Sequence, residues 1–165
     1  MYGFHGRLLQ IDLSSGQSSS CELEESRLRA FLGGLGLGTS LLYDYAPPGV
    51  EPFSPDNPLI LTSAPLVGTG LTTTAKFGVV TKSPLTGFIG DSLSSSHFAL
   101  ELKRTGFDGI VITGGAPSLV YIFISNQTVE IRDAEHLRGK TPNETEAAIR
   151  SELNSSAIRV AAIGA

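Results

Sequence analysis

The most informative segment of the sequence runs from Lys76 to Lys103 and reads KFGVVTKSPLTGFIGDSLSSSHFALELK. Phe77–Thr81 has the short apolar pattern of a buried strand, and Pro84–Gly87 has the composition of a turn. Residues 91–105 predict a helix, which the glycine at position 106 ends. The centre of the chain is therefore predicted to form a strand, a turn and a helix.

Four serines lie at the opening of this predicted helix: Ser92, Ser94, Ser95 and Ser96. The first backbone amides of a helix have no partner within the helix and carry a positive dipole, so anions bind there readily. Lys76, at the head of the preceding strand, adds a formal positive charge. We therefore expect a phosphate group to bind at this opening. The alternative is that the serines only cap the helix.

Outward from this stretch, the chain repeats a pattern of hairpin, helix and strand. The pattern occupies Gly6–Ala64 and recurs in Leu119–Ala165, where Thr141–Glu144 has the residues of a helix N-cap and Ile158–Ile163 predicts the closing strand. This order predicts an α+β fold of mixed and antiparallel β-sheets with helices and an internal duplication. Because the second copy stops where the first continues into a turn, we expect a fragment or a split subunit.

Four glycines interrupt a helical pattern that extends from Glu24 to Leu42. They are Gly33, Gly34, Gly36 and Gly38, and each costs about 1 kcal/mol of helix propensity. Their spacing does not match the G-x-G-x-x-G fingerprint of dinucleotide-binding folds, and they do not follow a strand. We therefore expect them to allow close packing against a neighbouring element.

The composition excludes several classes of protein. Of the 165 residues, 41% are hydrophobic and 17% are charged, with a formal net charge of -4, which argues against disorder and against nucleic-acid binding. The single cysteine, Cys21, cannot form an internal disulfide or an iron–sulfur site built from several thiolates. Neither a signal peptide nor a membrane-spanning apolar run is present, so we expect a cytoplasmic protein.

A serine esterase is one alternative function. Gly90–Leu93 resembles the nucleophile block of the GDSL-type esterases, and Asp133–His136 resembles their D-x-x-H block. In that case Ser92 would be the nucleophile, His136 its base and Asp133 the carboxylate that orients the base. A non-catalytic binding or assembly module is a third possibility.

Taken in order, the motifs resemble the N-terminal domain of the aldehyde ferredoxin oxidoreductases, which are tungsten-pterin enzymes. The matching motifs span essentially the whole chain: Tyr2–Gly3, Gly6–Arg7, Ile11–Gly16, Phe31–Gly34 with Gly36–Gly38, Pro65–Leu66 with Gly68–Thr69, Val80–Gly87, Glu101–Lys103, Gly106–Asp108, Ile131–Ala134 and Ala162–Gly164. The resemblance implies that residues 1–165 form this pterin-cradling domain, truncated at its C-terminus. It also implies as partners the remainder of the enzyme or a second subunit, ferredoxin and a small aldehyde, with a homodimer left open.

The resemblance further implies a tungstopterin cofactor, in which two pterins hold one tungsten or molybdenum and magnesium bridges their phosphates. A basic residue at the position of Lys76 contacts phosphate, the backbone carbonyl at Leu93 contacts magnesium, and backbone groups of Ser94, Ser95 and Ser96 assist. Typical members have Arg and Asn where Lys76 and Leu93 stand. No catalytic residue of the family maps onto this chain. The enzymes oxidise aldehydes to carboxylic acids and pass electrons through a [4Fe-4S] cluster, whose cysteines are absent here, so the isolated chain is predicted to be inactive.

Overall fold

The computed structural model describes residues 2–164, which divide into two compact units with the boundary between Ala116 and Pro117. The first unit is built on a six-stranded sheet with the spatial order β2-β1-β6-β3-β4-β5. The strands are β1 (Arg7–Asp12), β2 (Gln17–Glu22), β3 (Leu59–Thr62), β4 (Lys76–Lys82), β5 (Ile89–Ser95) and β6 (Gly109–Thr113). The β1–β6 pair is parallel and the other pairs are antiparallel. The predicted α+β class with a mixed sheet is confirmed.

Three helices accompany this sheet: α1 (Glu25–Phe31), α2 (Gly34–Tyr45) and α3 (His97–Arg104). The core forms where α2 packs on the central strands, because the helix buries its leucines against apolar residues of four strands. The fully or almost fully buried members are Leu8, Leu28, Leu37, Leu41, Ile60, Val80 and Val111. This packing fixes β4, and with it the neighbouring edge strand β5.

The helix predicted from Glu24 to Leu42 is in fact two helices that meet at Leu32 and Gly33. Leu32 has a φ of 61° and Gly33 a φ of 134°, which breaks the helical path. The break brings the chain against the end of β3, where the Gly34 amide donates to the Ser63 carbonyl at 2.7 Å. A Cβ on Gly33 would lie 2.8 Å from that carbonyl oxygen, so the close approach requires glycine.

The expected close packing of the helical glycines is confirmed at Gly38. A Cβ at this position would lie 2.6 Å from Cγ2 of Val80, which is fully buried on β4. Gly38 therefore lets α2 approach the sheet more closely than any side chain would allow.

A buried ion pair fastens the N-terminal loop to the end of α3. Lys103 Nζ donates to Asp108 Oδ1 at 2.7 Å and to the Gly3 carbonyl at 2.8 Å. The other carboxylate oxygen, Asp108 Oδ2, accepts from the amides of His5 and Gly6 at 2.9 and 2.7 Å. All these partners are satisfied, so the charges can remain buried.

The predicted helix over residues 91–105 begins later than expected. Its first residues belong to β5, and α3 starts only at His97. The reason is pairing at a distance, because the turn after β4 returns residues 89–95 alongside Lys76–Lys82 in an antiparallel ladder. The ladder satisfies backbone groups that a helix would otherwise pair internally.

The second unit consists of a hairpin and a helix with a small core. Strands β7 (Val120–Ser125) and β8 (Thr128–Asp133) pair antiparallel, and a short 3-10 helix (Glu135–Leu137) leads to α4 (Pro142–Glu152). The N-cap of α4 is the predicted one: Thr141 and Glu144 form a reciprocal capping box. The hairpin and helix of the second copy are therefore confirmed.

The strand predicted at Ile158–Ile163 is wrong. Ile158 and Val160 pack against the small core around Ile149, but no strand within residues 2–164 pairs with this segment. In the first copy the corresponding strand, β3, is held between β4 and β6, which both lie outside the repeated pattern. The apolar alternation alone is therefore not enough to make a strand.

Within the described residues, no helix is long and apolar enough to cross a membrane.

Candidate functional site

The outermost strand of the sheet, β5, is open along one side and on its faces. Among residues 2–164 it pairs only with β4, and six of its seven residues are exposed. Leu93, in its middle, has 55% of its surface accessible. An edge of this kind offers unpaired backbone donors and acceptors to whatever binds beside it.

The hydrogen bonds at the two ends of the ladder show which backbone groups are free. The Ser83 amide donates to the Phe88 carbonyl at 2.8 Å, and the Ser96 amide donates to the Ala75 carbonyl at 3.1 Å. Hydrogen-bonded and non-hydrogen-bonded pairs alternate in an antiparallel ladder. When the pairs are counted between these two bonds, Leu93 and Ser95 fall in non-hydrogen-bonded pairs. Their N–H and C=O groups therefore point away from β4, towards the open edge.

The register places Lys76 beside two of the predicted site residues. Lys76 is directly opposite Ser95, and Gly78 is opposite Leu93, so Lys76, Leu93 and Ser95 share one face of the sheet. Ser94 is opposite Phe77 and lies on the other face. The structure therefore brings a cation, an outward carbonyl and a hydroxyl together, and it separates the Ser94 side chain from them.

Lys76 is not committed to any partner within the protein. In the part of the first unit that the structure describes, its exposed side chain is the one Lys or Arg side chain without a hydrogen bond or ion pair. The others are held as follows: Arg7 by Ser20, Arg27 by Asp44, Arg29 by Glu25, Lys82 by the Val50 carbonyl, Lys103 by Asp108 and Arg104 by Glu101. An uncommitted ammonium group is available to an anion from outside.

The predicted anion site at a serine-rich helix opening is wrong in its geometry. Ser92, Ser94 and Ser95 lie on β5, and Ser96 alone stands at the start of α3. The Ser96 hydroxyl accepts from the Phe98 amide at 3.1 Å, so this serine acts as a cap. The helix opening is thus partly satisfied from within. Binding of a phosphate by the same residues stays a prediction, but through the strand edge.

Aromatic packing holds α3 beside this edge. The rings of Phe77 on β4 and Phe98 on α3 have centroids 4.9 Å apart and are tilted by 58°. Phe77 directly follows Lys76 and is buried. The contact fixes the end of β4 and the first turn of α3 on the face opposite to Lys76.

The esterase hypothesis is not supported by the contacts of its proposed residues. The imidazole Nε2 of His136 lies 3.2 Å from the carboxylate of Glu152, and Asp133 accepts instead from the Glu135 amide at 3.2 Å. Asp133 therefore binds the amide of the first residue of the short helix and does not orient His136. Ser92 lies within the β5 ladder opposite Val79 and not at the strand-to-helix turn that exposes a nucleophile.

Two features of the first unit were missed in the sequence. One is the orientation of the Leu93 carbonyl, which depends on the pairing of β5 with β4 and has no local signal. The other is the buried pair of Lys103 and Asp108. Its signal was weak, since Lys103 stands among other polar residues and only Asp108, placed between Phe107 and the apolar residues 109–112, stands out.

Comparison with known proteins identifies what the chain is similar to. A family profile for the aldehyde ferredoxin oxidoreductase N-terminal domain matches residues 8–165. The chain is 45% identical over 164 residues to the tungsten-containing aldehyde ferredoxin oxidoreductase of Pyrococcus furiosus, which covers 99% of this chain and 27% of that protein. The same enzyme of Thermococcus kodakarensis matches with the same identity and coverage.

Relatives with other names are almost as similar. A WOR-like subunit of an aliphatic sulfonate oxidoreductase from Pyrococcus furiosus is 43% identical over 137 residues, which are 81% of this chain and 22% of that subunit. Among solved structures, the active-site complex BamBC of benzoyl coenzyme A reductase, in complex with 1,5-dienoyl-CoA, matches with a TM-score of 0.95 and 42% identity. That match covers 99% of this chain and 25% of the other. The chain thus spans about a quarter of the length of the curated relatives that it matches most fully.

Proposed function

Because the chain belongs to the aldehyde ferredoxin oxidoreductase family, as its N-terminal domain, we propose that it holds the phosphate end of a tungsten- or molybdenum-pterin cofactor. In this proposal Lys76 binds phosphate, the Leu93 carbonyl binds magnesium, and Ser94, Ser95 and Ser96 contribute backbone groups. One observation carries it: the uncommitted cation of the first unit lies directly beside the edge strand whose Leu93 carbonyl points outward, on the same face as Leu93.

The donor set at this edge fits such a group. An ammonium group is a compact point charge that pairs with phosphate oxygens without demanding one geometry. Magnesium is a hard cation that takes oxygen ligands, and a backbone carbonyl serves irrespective of the side chain. Leucine at position 93 is therefore compatible with the role, although it replaces the asparagine typical of the family.

The chain's own contribution is to bind, orient and compensate charge. When bound, the metal and its pterins supply the redox chemistry. The β5 edge is rigid, because its partner strand β4 is fixed by α2 through the Gly38–Val80 contact. The positive charge of Lys76 offsets part of the negative charge of the phosphates. This interaction holds the cofactor at its phosphate end, away from the reacting metal.

For the larger enzyme we propose oxidation of an aldehyde to a carboxylic acid, with electrons passing through a [4Fe-4S] cluster to ferredoxin. The cluster ligands would come from another segment or subunit, since Cys21 is the single cysteine of this sequence. The relatives named for an aldehyde, a sulfonate and benzoyl coenzyme A are 45%, 43% and 42% identical to the chain. This near equality supports a role for the domain in holding the cofactor, with substrate choice made elsewhere.

The test is the metal content of the holoenzyme that contains this chain. We expect Lys76→Met to lower tungsten or molybdenum retention after desalting about 10- to 100-fold, the range for loss of a charged hydrogen-bonded contact. Lys76→Arg is expected to retain the metal, because it keeps the charge. Lys140→Met removes the same charge from the second unit and serves as the control. Full retention in Lys76→Met would contradict the proposal.

A further inference from the structure

Residues 83–89, which comprise the turn between β4 and β5 and the first residue of β5, present apolar side chains on a fixed backbone. We call this segment the hairpin tip. Its backbone is closed by hydrogen bonds from the Ser83 amide to the Phe88 carbonyl at 2.8 Å and from the Gly87 amide to the Ser83 carbonyl at 2.9 Å. The Ser83 hydroxyl also accepts from the Leu85 amide at 3.2 Å. The tip therefore satisfies much of its own backbone polarity.

The side chains of the hairpin tip contrast with this satisfied backbone. Leu85 is 92% exposed, Phe88 79% and Ile89 52%. Exposed apolar residues scattered singly are ordinary, but three within the five residues 85–89 of an ordered turn indicate an interaction surface. A fixed turn loses little conformational entropy when it is covered, which favours binding.

The apolar surface continues into the candidate cofactor edge. Ile89 and Leu93 occupy alternate positions of β5 and so lie on the same face as Lys76. Leu93 is 55% exposed. The surface that covers the hairpin tip is therefore adjacent to the surface that encloses the phosphate end of the cofactor.

We propose that the hairpin tip docks into an apolar surface of the polypeptide that makes up the remaining three quarters of the relatives' chains. The matched region is 27% of the curated aldehyde enzymes and 25% of the benzoyl coenzyme A reductase chain, so these relatives carry ample further polypeptide. Continuity with the Lys76 face favours this occupant over a second copy, because the same polypeptide that closes over the cofactor reaches the tip. The inference rests on the proposed function.

Hydroxyl-radical footprinting of the holoenzyme tests this docking on native side chains. Phe53, in the same unit, is 88% exposed and provides a matched aromatic control. We expect Phe88 to be oxidised at least about tenfold more slowly than Phe53, because a docked hot-spot aromatic is sealed from water. Equal oxidation rates would overturn the proposal. Protection of Phe88 that disappears on dilution to the protomer would assign the tip to a second copy, and would overturn it equally.

A pair of variants provides the energetic counterpart. Phe88→Ser is expected to shorten the half-life of the holoenzyme at elevated temperature about tenfold or more, whereas Phe53→Ser leaves it unchanged. Equal half-lives for the two variants would count against docking; if Phe88→Ser does not assemble, footprinting of the native protein decides. The proposed function is tested separately. If Lys76→Met keeps its metal while Phe88 stays protected, the cofactor role is refuted and the docking is not.

Discussion

Replacing Lys103 with methionine is expected to destabilise the first unit by about 3–5 kcal/mol, because the substitution leaves the Asp108 carboxylate buried without its cation. The Lys103 side chain is 11% exposed and that of Asp108 is 2% exposed. Water therefore cannot replace the lost ammonium group. The two amides of His5 and Gly6 that remain on Asp108 Oδ2 compensate only part of the charge.

This destabilisation is large compared with the total free energy of unfolding of such a domain. Domains of this size unfold with a free energy of about 5–15 kcal/mol, so the variant would lose about a fifth or more of the total. The Gly3 carbonyl loses its 2.8 Å donor at the same time. We therefore expect the N-terminal loop to detach first and to show faster amide exchange at His5 and Gly6.

Urea unfolding followed by far-UV circular dichroism measures the effect, since the chain contains no tryptophan. Arg104→Met is the control on the adjacent residue, because its pair with Glu101 is exposed and contributes less than about 1 kcal/mol. A cycle with Asp108→Asn isolates the coupling, expected at about 1–3 kcal/mol. If Lys103→Met costs no more than Arg104→Met, the buried pair does not hold the loop and the reasoning is refuted.

Two further predictions concern packing and capping. Gly38→Ala is expected to cost about 1–3 kcal/mol in urea unfolding, because its Cβ would meet Val80 Cγ2 at 2.6 Å; an unchanged midpoint would show that α2 can retreat from the sheet. Thr141→Ala is expected to cost the second unit about 1 kcal/mol by removing the α4 cap. Hydrogen bonds from the Thr141 amide and then its hydroxyl lower the pKa of Glu144. The stability that these hydrogen bonds give is present above the ordinary glutamate pKa and is lost as the pH falls through the lowered value. The melting temperature of the native protein should therefore fall more steeply in acid than that of Thr141→Ala.

Local chemistry was predictable from the sequence, and the start of α4 shows why. A threonine N-cap, a proline in the first turn and a glutamate three residues after the cap stabilise a helix start wherever it occurs. The structure has this capping box between Thr141 and Glu144. The tight glycine at position 38 was predictable for a similar reason, since a glycine within a helix pattern needs a compensating contact.

Pairing between distant segments was not predictable in the same way. Residues 91–95 carry serines and an aspartate, which are as common at a helix start as on an exposed edge strand. Their structure is decided by β4, which is itself fixed by α2. The segment Ile158–Ile163 shows the converse, because it has a strand pattern but no pairing partner among the described residues.

The charge balance of the candidate site gives a physical reason for a divalent cation in the proposed arrangement. An outward carbonyl at Leu93 presents the negative end of a dipole, and phosphate oxygens would be repelled by it. One ammonium group at Lys76 cannot neutralise two phosphates, and the chain as a whole carries a formal charge of -4. A magnesium ion held by the Leu93 carbonyl would supply the positive charge that Lys76 alone does not provide. Removing magnesium with a chelator should therefore release the cofactor from an enzyme with an intact Lys76, and retention after complete chelation would show that the carbonyl has another partner.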